Sequence, residues 1–101
     1  LTYCTAAEVR LVVNTELSDE EIATLIETSD AYIDKALGAQ SPLDKLIKKL
    51  SMLLTARTIK TRHPQSYAVG EYSESAGNVL EIWDREIEAI TASYRRSFRV
   101  A

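Results

Sequence analysis

Asp30 and Asp34 stand four residues apart, so that on a helix both carboxylates share one face, the spacing at which a metal-binding or general acid/base pair would begin. No third ligand accompanies them in sequence, and a solvated face is the expected role. His63 is the sole histidine and Cys4 the sole cysteine, 59 positions apart, and they form no metal-ligand spacing or local nucleophile–base motif. His63 precedes Pro64 at an expected helix end, which suits an exposed or capping side chain. Cys4 sits just before a helix start, where the dipole can lower a thiol pKa, although a small packing residue is the simpler expectation. Glu20-Glu21 and the Glu86/Glu88 pair have no companion histidine or serine motif, and Gly70 and Gly77 make no phosphate loop. The expectation is a protein that is not an enzyme and holds no cofactor or metal.

The elements that would position these residues are helices. Thr5-Ala6-Ala7-Glu8 and Ser18-Asp19-Glu20-Glu21 each place a hydroxyl at a cap and a carboxylate three residues on, so that two unpaired backbone N–H groups are satisfied reciprocally. Leu17 and Ile22 add a hydrophobic staple to the second. A short helix is expected over 6–13, with Val9, Val12 and Val13 inward. A long one follows over 19–37 on Ile22, Leu25, Ile26, Ile33 and Leu37, with Ser29 and Ala36 as small members of the stripe. Gly38 supplies its stop. Ser41-Pro42 predicts the next start, and Leu43, Leu46, Ile47, Leu50, Leu53 and Leu54 carry that helix to Arg62. Residues 65–78 read as a loop or as one or two short strands. A last helix is expected from 75 or 76 to 96 or 98, on Leu80, Trp83, Ile87, Ile90 and Tyr94. The expected fold is all-α: one domain over 1–101, a small bundle of about four helices with an irregular or short β segment between the third and fourth.

The 101 residues are 46% hydrophobic with three glycines and two prolines, a globular composition. No run nears the roughly 20 apolar residues of a membrane span, and a soluble, cytosolic chain is expected. Net charge is −3, distributed as −6 over residues 1–43, +5 over 44–63 and −2 over 64–101. Solvated helix faces would account for this pattern, and so would unlike surfaces that meet when copies pack head to tail. A domain that is acidic overall is poorly suited to tight generic nucleic-acid binding. Cations near the third helix end (Arg57, Lys60, Arg62) and in Tyr94-Arg95-Arg96-Ser97-Phe98-Arg99 also suit helix C-termini electrostatically.

The opening Tyr3-Cys4-Thr5-Ala6-Ala7-Glu8-Val9-Arg10, followed by Leu17-Ser18-Asp19-Glu20-Glu21-Ile22 and a long helix to Gly38, resembles the head–tail connector (adaptor) proteins of long-tailed bacteriophages. The likeness runs over most of residues 3–77, including the Gly/Ser-containing segment Val69-Gly70-Glu71-Tyr72-Ser73-Glu74-Ser75-Ala76-Gly77; the long final helix departs from it. The resemblance implies a structural virion protein at the head–tail junction, present in the host cytoplasm before assembly. It implies a ring of about a dozen copies beneath the portal, a stopper or tail-completion protein below, and genome DNA passing through the channel. Candidate interface residues are Lys45, Lys48 and Lys49 for the basic helix, Tyr67, Val69 and Tyr72 for a neighbour-reaching segment, and Tyr94, Arg95, Arg96, Phe98 and Arg99 for docking on an unlike partner. A small helical DNA-binding or regulatory module, or an accessory subunit of another complex, are the alternatives.

Overall fold

A computed structural model of the chain describes residues 2–41, 43–62, 67–68 and 76–100, with side chains described through 62 and over 79–94. The fold is all-α, with four helices among the described residues: α1 (Ala6–Val9), α2 (Asp19–Leu37), α3 (Lys45–Arg62) and α4 (Ala76–Val100). Two-residue strands β1 (Val13–Asn14) and β2 (Tyr67–Ala68) pair antiparallel, with Val13 opposite Ala68 and Asn14 opposite Tyr67.

Both capping boxes form as the sequence requires. Thr5 Oγ1 accepts from the Glu8 N–H at 3.2 Å while Glu8 Oε1 accepts from the Thr5 N–H at 2.9 Å. Ser18 and Glu21 repeat the exchange at 3.1 and 2.9 Å. The expected run of α1 to residue 13 is corrected: the helix stops at Val9, and Leu11 and Val12 donate to carbonyls three residues back, tightening into a turn. The β-branched Val13 then adopts extended geometry against β2, and tertiary pairing overrides the helical period. Arg10 holds the α1–α2 connection by donating to the carbonyls of Thr15 and Leu17 and to Asp19.

The start of α3 is corrected in the same way. Asp44, not Ser41, caps it, its Oδ1 accepting from the N–H groups of Leu46 at 2.9 Å and Ile47 at 3.4 Å. Ser41 instead closes the preceding turn through its carbonyl and hydroxyl. Moving the cap three residues leaves Leu43 89% and Leu46 49% exposed, against the expectation that both face inward. At the end of α2, Gly38 takes φ 82°, ψ 169°, a conformation open essentially to glycine alone, and Gln40 Nε2 donates to the carbonyls of Leu37 and Gly38 at 3.0 Å each.

α3 is the central helix. It packs against α2, α4, α1 and β1, and Ile47, Leu50, Leu53, Ala56 and Ile59 from it meet Val9, Val13, Ile22, Ile26 and Ile33 in one core. Each fully buried aliphatic side chain is worth roughly 1.5–3 kcal/mol. Val79, Trp83 and Ile90 bring α4 onto the same core, with Leu80, Ile87 and Tyr94 partly buried beside them. The body measures 43 × 28 × 19 Å.

Candidate functional site

Asp30 is buried, and this corrects the solvated role expected of it. Its Oδ2 accepts from the backbone N–H of Tyr3 at 2.8 Å and its Oδ1 from the Ser51 hydroxyl at 2.6 Å, while Ser51 Oγ lies 3.2 Å from Cys4 Sγ. Asp34 is exposed and accepts from the Tyr3 hydroxyl, which in turn accepts from the Gln40 N–H at 3.0 Å. The pair that could have begun a metal site therefore anchors residues 2–5 across α2 and α3. Burial pushes the Cys4 thiol up to about 11 and raises Tyr3, so neither is activated at neutral pH. No buried side-chain polar atom among the described residues is left without a partner, and no group of three His, Cys, Asp or Glu among them could hold a metal ion. His63 lies outside the described residues.

The three lysines assigned to an intersubunit surface divide. Lys48 Nζ bonds Glu8 Oε2 at 2.8 Å, and Lys49 Nζ reaches Glu86 Oε2 at 3.2 Å, so one ties α3 to α1 and the other ties it to α4. The Lys48 hydrogen bond holds the Glu8 carboxyl below its usual range. Arg57 pairs with Asp84 of α4, which raises the guanidinium. Lys45 is exposed and, alone of the three, makes no ion pair among the described residues. The basic stretch expected to meet a neighbour is thus largely occupied within the chain itself.

Tyr94 donates its hydroxyl to Asp44 Oδ2 and locks α4 against the start of α3. That bond holds Asp44 below its ordinary range; burial, with the same bond, pushes the phenol up to about 12. Tyr94 is therefore an internal clasp more than a free docking residue. Arg95, Arg96, Phe98 and Arg99 lie on the last turns of α4, beyond that clasp. Tyr67 belongs to β2 opposite Asn14, and Val69 and Tyr72 fall outside the described residues.

Two surface features were not anticipated. Between α2 and α3 runs a groove of about 240 Å³ lined by Thr28, Ser29, Tyr32, Leu54, Arg57 and Thr58, and nearer the start of α2 a cleft of about 250 Å³ is lined by Leu17, Glu21, Thr24, Leu25 and Arg62. Leu11, Tyr32, Leu43, Leu46 and Ile82 are the large apolar side chains left on the described surface. Among the described residues no helix is long and apolar enough to cross a membrane. No family model matches the chain, and no curated protein or solved structure matches it.

Proposed function

We propose that this chain is a structural assembly protein, a head–tail connector that forms a ring under a phage portal and carries the stopper or tail-completion protein. The order of a short capped helix, a long acidic helix and a third helix, now seen folded as one packed unit, supports the reading that the Tyr3–Gly38 resemblance began. The observation that carries a protein-binding role over a nucleic-acid one is the fate of the α3 cations. Lys48, Lys49 and Arg57 each spend their charge on a carboxylate of another helix, while large apolar side chains stand in solvent. Phosphate binding needs cations free to replace counterions, and protein interfaces need exposed apolar anchors. The test is native mass spectrometry of the chain with and without the portal encoded in the same genome. A ring of about a dozen copies on the portal is the expected result; a chain that stays monomeric beside an intact portal overturns it.

A further inference from the structure

The two ends of the bundle differ in chemistry. At one, α3 begins and α4 ends, a junction marked by the Asp44–Tyr94 bond; there Leu43 and Leu46 stand out on either side of the unpaired Lys45. At the other, α2 begins and α3 ends, a junction marked by Glu21 and Arg62 lining one cleft with Leu17, Thr24 and Leu25. Glu16 and Glu20, beside Leu17 and Glu21 in the chain, are exposed and make no ion pair among the described residues. The 19 residues of α2 hold these ends about 28 Å apart, too far for one protomer to join its own.

We propose that the Leu43–Lys45–Leu46 end of one protomer docks in the Leu17/Leu25 cleft of a second copy. The two patches are unlike, one a pair of exposed leucines and the other a cleft, and opposite in net free charge, with Lys45 on one and Glu16 and Glu20 outnumbering Arg62 on the other. Lys45 then lies against Glu16 and Glu20 while an aliphatic side chain leaves water for a partly apolar cleft. A contact between two different patches of the same chain is heterologous, so each copy keeps one free end and the arrangement propagates until it closes. The inference rests on the reading of the chain as a self-assembling scaffold, and it names the surfaces through which copies meet.

Disulfide trapping in the full chain tests it. One chain carries Leu43→Cys and a mass-tagged chain carries Thr24→Cys; both sites are exposed, and native Cys4 is buried and stays out of the exchange. Under mild oxidation of the mixture with diamide, the mixed dimer should exceed both same-site dimers by about fivefold, the ratio equivalent to roughly 1 kcal/mol. Lys45→Glu on the first chain should lower the mixed dimer about two- to fivefold, as for an exposed ion pair, and Glu20→Lys on the second should restore it. Random proportions of the three dimers, or no cross-link, overturn the contact. Portal binding is measured separately, so loss of this contact and loss of the connector reading are told apart.

Discussion

Replacing Asp30 by alanine should be among the most damaging single changes in this protein, and replacing it by asparagine should be mild. The carboxylate is 8% exposed and accepts two buried hydrogen bonds, from the Tyr3 N–H at 2.8 Å and the Ser51 hydroxyl at 2.6 Å. Alanine leaves the Tyr3 N–H without an acceptor and leaves the Ser51 hydroxyl only the weak thiol acceptor of Cys4. Each lost hydrogen bond to the carboxylate costs about 1.5–3 kcal/mol, and relief of the carboxylate's own desolvation offsets part of the total, leaving a net loss of about 3 kcal/mol. For a chain of this size that lowers the melting temperature by about 12 °C, at roughly 4 °C per kcal/mol. Asparagine can keep its oxygen on the Tyr3 N–H and turn its amide toward Ser51. The hydroxyl then rotates to accept from the amide and donates to Cys4 Sγ, which lies within reach at 3.2 Å, and the loss falls to about 1 kcal/mol. Thermal and urea unfolding followed by circular dichroism measures both variants, and maleimide labelling of Cys4 reports whether residues 2–5 have come away. An Asp30→Ala protein within 1 kcal/mol of the parent, or an Asn variant as damaged as the Ala one, would refute the argument.

Alkaline pH should unfold the protein earlier than its acidic groups alone would suggest. The fold holds the Tyr94 phenol and the Cys4 thiol neutral, with pKa values of about 12 and about 11 against ordinary values of 10.0 and 9.0. A group of this kind stabilises the native state fully below its unfolded pKa, and that stability is lost as pH rises through the folded one. Urea midpoints should therefore hold to about pH 9 and fall toward pH 12, and Tyr94→Phe should flatten the part of the decline above pH 10. Gly38→Ala should cost about 1–3 kcal/mol by forcing a Cβ into φ 82°, ψ 169°, read as a lowered urea midpoint with an unchanged slope.

What local chemistry dictates was legible along the chain. Thr5, Glu8, Ser18 and Glu21 fixed two helix starts because a capping box closes within four residues, and Gly38 fixed an end because its backbone geometry excludes other residues. The all-α architecture followed from the stripes those signals delimit. The start of α3 was expected at Ser41-Pro42, but Asp44 caps it, and Asp44 also takes a bond from Tyr94, 50 residues away in sequence, which no local spacing announces. The burial of Asp30 depends on Tyr3 and Ser51, and the pairing of Lys48 and Lys49 depends on Glu8 and Glu86, none of which is announced by spacing. The short β1–β2 ladder joins segments separated by most of the bundle, which is why Val13 looked like the tail of a helix.

The seam between α2 and α3 has a mechanical consequence. Ser29 and Thr55 meet there hydroxyl to hydroxyl at 3.0 Å, and Asp30, the next residue of α2, meets Ser51, one turn along α3 from Thr55. Sliding one rod past the other by a single pitch of about 5.4 Å would bring Ser29 to the level of Ile59 or Ser51, and would unseat both contacts together. Shear along the long axis thus meets a notched track instead of a greased one, and the folded chain should transmit an axial push as a stiff strut.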